Sequence, residues 1–215
     1  DLSTDGNPAP PGTAMPTRIG LIHAVHPAMP PVEAAFKALW PAAERVDLRD
    51  GAVGRDRERA GGLTPPFYPR MRMLADYAVA QGAQGILFTC SAFGQAIDEV
   101  ARSLTIPVLK PNEAMFAEAI ASGRRMEGEF RAMAAAGTTI ETVCIAEARR
   151  ALDGGDVERH DALIAEAAPR LASCDCVMLA HFSTASALEQ VRARLTAPVL
   201  SAPGAAVMKL KQLLA

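Results

Sequence analysis

Cys90 and His181 are the residues whose type and placement could carry a proton to and from a substrate. Cys90 stands in Thr89-Cys90-Ser91, directly after the apolar run Gly85-Ile-Leu-Phe88. A thiol at a strand-to-helix turn lies beside unpaired helix N–H groups, which lower its pKa and favour thiolate. The hydroxyls of Thr89 and Ser91 can donate to a substrate carboxylate without adding charge. The plain alternative is a buried cysteine acting as a small hydrophobe, the usual fate of a free thiol. His181 follows Val177-Met-Leu-Ala180 and precedes Phe182-Ser183-Thr184. A histidine there can shuttle protons near neutral pH, or simply be a satisfied side chain at a sheet edge. Ser183 and Thr184 are natural caps for the following helix and can bind a carboxylate at the same time. His23 and His26 end the first apolar run, where substrate contact, by His23 in particular, is expected. Their loose spacing, with no third ligand nearby, argues against a metal site. Asn112 and Glu113 open a further helix, and the helix dipole is explanation enough for an acidic side chain there.

An internal repeat sets these residues against each other. ILFTCSAFGQAIDEVARSLTIPVL, starting at Ile86, aligns without a gap on VMLAHFSTASALEQVRARLTAPVL, starting at Val177. The offset of 91 residues takes Ile86 to Val177 and Cys90 to His181. Both residues then lie just past the carboxyl end of an apolar strand, the edge where open α/β sheets bind ligands. Two similar lobes facing each other would bring two proton-handling side chains to one substrate from opposite sides.

The surrounding elements support that placement. Strands are predicted over 18–25, 46–48, 85–89, 106–109, 140–145, 177–180 and 197–200. Helices are predicted over 30–40, 66–81, 92–103, 111–122, 126–136, 147–152, 157–171, 184–194 and 203–214. In the helix over 66–81, Met71, Leu74, Tyr77 and Ala78 fall on one side. Continuous apolar strands alternating with helices predict an α/β fold with mostly parallel sheets covered on both faces. Residues 1–16, rich in Pro, Gly, Ser and Thr, read as a disordered leader, with Met15 a candidate natural start. Lobe 1 is assigned to 17–110 and lobe 2 to 111–200, with 201–215 a closing helix packing back on lobe 1. The second lobe lacks a counterpart of the first strand, so a segment is expected to be missing between Arg125 and Met126.

Composition narrows the function. The chain has 215 residues, half of them hydrophobic, and a net charge of −2, which argues against binding nucleic acid or anionic membrane through bulk charge. Aromatic residues make up only 5%, too few for base-stacking platforms. No apolar run reaches the roughly 20 residues of a membrane span, and no secretion signal is visible, so a cytoplasmic location is expected. Cys90, Cys144, Cys174 and Cys176 are read as reduced thiols, because a chain this size needs no disulfide staples. Dinucleotide, P-loop and nucleophile-elbow motifs are absent. Gly61-Gly62 reads as a turn or hinge.

From about Arg18 to its C-terminus the chain resembles the aspartate/glutamate/hydantoin racemase superfamily. The likeness is carried by Thr89-Cys90-Ser91, Pro107-Val-Leu109 and Pro198-Val-Leu-Ser-Ala-Pro203. It implies two pseudosymmetric Rossmann-like lobes with the active site between them. It also implies two cysteines, one per lobe, acting as acid and base on opposite faces of the substrate α-carbon, with no cofactor and no metal. Cys90 matches the first-lobe cysteine, whereas His181 stands where the second would be. Either His181 serves as the second base or the enzyme is one-sided. One-sidedness is the pattern of the arylmalonate decarboxylase branch, although that branch keeps its cysteine in the other lobe. The expectation is a racemase or isomerase working at the α-carbon of a small carboxylic or amino acid, with a decarboxylase as the alternative. Further alternatives are a non-catalytic carboxylate-binding protein and a Cys-His hydrolase. A homodimer is the default assembly.

Overall fold

β1 (Arg18–His23) and β3 (Gly85–Phe88) are apolar runs buried along almost their whole length, as strands covered on both faces must be. They pair in parallel at the centre of a four-stranded sheet of order β2-β1-β3-β4, with β2 (Glu44–Arg49) and β4 (Val108–Leu109) at its edges. β2 carries Glu44, Arg45, Asp47 and Arg49, charges that suit an exposed edge. The computed structural model describes residues 15–115, 117 and 138–215. The expectations for 1–14, for the helix over 126–136, for most of the helix over 111–122 and for a missing segment at Arg125–Met126 lie outside them.

The sheet is covered on one face by α1 (Met29–Leu39) and on the other by α3 (Phe67–Ala80) and α4 (Gly94–Ser103). α3 buries Phe67, Met71, Ala75 and Ala78. Tyr77, expected on that inner side, is instead 54% exposed, because the buried stripe runs through Ala75 and lets the backbones approach closely. Gly20 on β1 marks that approach: a Cβ there would lie 2.7 Å from the Ala78 Cβ. Gly20→Ala is therefore expected to destabilise the protein by about 1–3 kcal/mol, read as a lower urea midpoint.

α2 (Val53–Arg59) was not expected, since its sequence VGRDRER has no apolar period and buries only Val53. Its start is held by Asp50, whose Oδ1 accepts the N–H groups of Ala52 and Val53, both at 3.0 Å. The strand predicted over 140–145 does not form. Those residues lead into α5 (Ala146–Asp153) outside either described sheet, with Ile140 packed against the central core. β-branched residues favour a strand only where a neighbouring edge can take their hydrogen bonds.

α6 (Val157–Ala167) and α7 (Leu188–Arg192) cover the second sheet, β5 (Val177–Leu179) and β6 (Val199–Ser201), which pair in parallel. The repeat is kept in the pairing register: Ile86 pairs Val108 as Val177 pairs Val199, each 91 residues on. α8 (Ala202–Leu213) crosses back to the first sheet. There it joins the core of Ile19, Leu21 and Phe36 through Ala206, Val207 and Leu210. Gly85 on β3 leaves room for it, since a Cβ there would lie 3.1 Å from Leu214 and 3.2 Å from Leu210.

Candidate active site

The carboxyl ends of β1, β3 and β5 deliver His23, Thr89-Cys90 and His181 to one edge of the molecule. In the order β2-β1-β3-β4, successive connections leave β1 in opposite directions, and ligands favour the crevice at such a switch point. Cys90 and His181 occupy matching places. Each has extended backbone and opens a 3-10 turn, Ser91–Phe93 after Cys90 and Phe182–Ala187 after His181. A helix then follows each turn, α4 after the first and α7 after the second.

The two sides meet over a cavity of about 350 Å³, partly open to solvent. It is lined by Thr89, Cys90, Ser91, Asn112, His181 and Ser183, with Val25, Ala28, Pro111, Ala180 and Phe182 as its apolar walls. Five of the expected site residues thus share one cavity. His23 and Thr184 do not line it. His23 is 1% exposed and faces a smaller cavity, about 200 Å³, on the other side of Cys90. His26 is exposed at the start of a separate 3-10 turn.

His23 works inside the protein. Its Nε2 lies 3.2 Å from Asp47 Oδ1 and its Nδ1 lies 2.9 Å from Thr89 Oγ1. The bond from His23 holds the Asp47 carboxyl below the usual carboxylate range, against the opposing effect of burial. An ionised Asp47 makes Nε2 the donor, and the Thr89 hydroxyl lies between Nδ1 and the Ile22 carbonyl, 3.4 Å away. The chain Asp47–His23–Thr89 thereby fixes the residue before Cys90. Thr184 is also engaged locally: its hydroxyl donates to the His181 carbonyl at 2.7 Å and closes the turn.

Cys90 corrects the expectation of a depressed thiol pKa. Burial pushes it up, and the Ala92 N–H and the Arg57 charge pull it only part of the way back. The Ala92 N–H is aimed at the sulfur without closing a full capping bond. One helix N–H on a half-buried thiol does not offset its lost hydration. A folded chain that holds this proton more tightly than an unfolded one has a definite pH signature. The stabilisation is complete below the ordinary thiol pKa and is lost as pH rises through the raised value. Iodoacetamide alkylation of Cys90, followed by peptide mapping to separate it from the exposed Cys144, is expected to rise with pH to a midpoint above that of an ordinary cysteine.

Two polar residues near the cavities carry no functional expectation from the sequence. Arg57 lies in the unexpected α2, within a charged run that reads as solvated surface, yet its charge acts on the Cys90 sulfur and its Nε is buried without a partner. Asn112 reads as part of a helix opening, where only its lack of a cap partner, invisible in sequence, would have drawn notice. Among the described residues, no three His, Cys, Asp or Glu side chains come together as a metal site, and no helix is long and apolar enough to cross a membrane.

Comparison with solved structures decides the fold. Glutamate racemase from Thermus thermophilus superposes with a TM-score of 0.69 at 17% identity, covering 93% of this chain and 80% of that one. An aspartate racemase homologue from Pyrococcus horikoshii gives 0.70 at 14% identity, covering 92% and 98%. The chain has the Asp/Glu racemase fold. Arylmalonate decarboxylase shares that fold, with a TM-score of 0.57 at 15% identity and coverage of 91% and 92%. No protein-family model and no curated protein matches the sequence. The likeness to the racemase fold therefore lies in the backbone rather than in close sequence kinship.

Proposed function

We propose that the protein is a cofactor-independent enzyme of the racemase type, acting at the α-carbon of a small carboxylic or amino acid, with Cys90 as its thiol acid/base. The observation that carries this reading is the meeting of Cys90 and His181, from equivalent strand ends, over one cavity. An α-hydrogen is very weakly acidic, so its removal needs preorganised donors where the enediolate charge develops. Ser91 and Ser183 line the cavity and can donate to the carboxylate from the Cys90 and His181 sides respectively. Cys90 on one face and His181 on the other can then remove and return the proton. Burial favours the neutral thiol, and makes the thiolate, once formed, the stronger base.

The same neutral thiol supports a second reading. Decarboxylation needs no base at carbon, since loss of CO2 supplies the enediolate and a thiol need only protonate it. Both readings are tested by incubating the protein in deuterated water with amino acids, dicarboxylates, hydantoins and aryl malonates, and following the α-carbon by NMR. Deuterium uptake into unchanged substrate supports the racemase reading, and CO2 release with deuterated product supports the decarboxylase. Thioester formation at Cys90 without deuterium at carbon would reject both.

A further inference from the structure

His23 ends β1 as a buried imidazole, in a strand whose other buried side chains are Ile19, Leu21 and Ile22. The groups at its two nitrogens differ in their surroundings. The Asp47 side chain beyond Nε2 is 42% exposed, whereas Thr89 beyond Nδ1 is shut inside. Thr89 is fastened to β1 by its backbone as well, its N–H donating to the Ile22 carbonyl at 3.0 Å. Cys90 is the next residue, and the 3-10 turn opens there.

Folding alone does not ask for this arrangement. Apolar groups of the same shape in place of a buried hydrogen-bonded pair are often neutral or stabilising. The repeat supplies a comparison within the chain. At the offset of 91 the counterpart of Thr89 is Ala180, which has no hydroxyl to hold, yet His181 takes the same extended backbone as Cys90. The difference lies in burial: His181 is exposed, whereas Cys90 is half-buried against the small cavity that His23 also lines.

We infer that His23, braced by Asp47, is a positioning residue that holds Cys90 in its half-buried place by way of Thr89. With both ring nitrogens engaged, it has no hydrogen bond left for sulfur or substrate and acts through Thr89. Its effect on turnover rests on the carbon-acid reading above, but its effect on the thiol does not.

The test compares wild type with His23→Leu, His23→Asn, Asp47→Ala, Thr89→Val and the His23→Leu/Thr89→Val double variant. Iodoacetamide alkylation of Cys90 is followed against pH by peptide mapping, and α-hydrogen exchange is followed by NMR. In His23→Leu the freed thiol gains water, so its alkylation midpoint is expected to fall toward that of an ordinary cysteine. Exchange is expected to drop about 10–100-fold through kcat with KM little changed, as a displaced reacting group would cause. His23→Asn reaches the place of Nδ1 but not of Nε2, and should recover part of both losses. The double variant should lose no more than the worse single one, because the two residues act as one unit. The inference is overturned if His23→Leu leaves both readouts unchanged, or if its effect adds in full to that of Thr89→Val. Should His23→Leu fail to fold, an unchanged alkylation midpoint in both Asp47→Ala and Thr89→Val would overturn it equally. A shifted midpoint in a protein that exchanges no substrate hydrogen would support the tie and reject the carbon-acid reading. Exchange indifferent to every one of these variants would support that reading and reject the tie.

Discussion

Replacing Cys90 with alanine is expected to reduce α-hydrogen exchange by about 10²–10⁴-fold, the usual contribution of a positioned acid or base. The fold should survive, because Cys90 is only half-buried and sits at the rim of a core formed by Ile22, Phe88, Phe93 and Ile97. Cys90→Ser sharpens the result. A hydroxyl can occupy the same turn and make similar hydrogen bonds, but its proton is far less acidic. Exchange should therefore stay low in the serine variant while the thermal midpoint stays near wild type. Exchange within about tenfold of wild type in both variants would remove Cys90 from the chemistry. A non-catalytic carboxylate-binding protein would show unchanged ligand affinity in Cys90→Ser and no turnover in any variant.

The second large effect is on stability. Asp161 on α6 lies under the His181 turn, and its Oδ1 is 2.7 Å from His160 Nδ1 and 2.6 Å from Ser186 Oγ. His160 and Asp161 are both buried, so water cannot take over either partner's bonds. Asp161→Ala is expected to cost about 3 kcal/mol, because it strands a buried imidazole as well as removing a carboxylate. The same Ser186 hydroxyl lies 3.1 Å from the Ser183 carbonyl, within the turn that presents Ser183 to the cavity. Loss of Asp161 should thus weaken substrate binding too, seen as a higher KM among molecules that remain folded. Asp161→Asn keeps an acceptor and should recover most of the urea midpoint. Equal damage from both substitutions would assign the effect to charge rather than to the hydrogen bonds.

Much of the architecture was open to reading because it is written in local periodicity. The apolar runs of β1, β3 and β5, the Pro-opened α1 and α8, and the 91-residue repeat all reflect rules that act over a few neighbours. Failures came where long-range pairing decides. Ile140 to Ile145 has strand chemistry but joins neither sheet among the described residues. α2 lacks an apolar stripe but is held by the Asp50 cap, with Arg70 bonded to both Asp50 and Asp56 from α3. Tyr77 has the right spacing to be buried, but the close packing of Ala78 on Gly20 turns it outward.

The candidate site divides in the same way. Residue type and repeat offset alone placed Cys90, Ser91, His181 and Ser183 at corresponding strand ends, because position along a strand is a local property. The sequence could not assign His23 to an interior chain with Asp47 and Thr89, nor leave Asn112 without a partner. Burial and hydrogen-bond satisfaction depend on which distant segments close over a side chain. For the same reason the direction of the Cys90 pKa came from the tertiary structure, where lost hydration outweighs the single helix N–H that local sequence supplies.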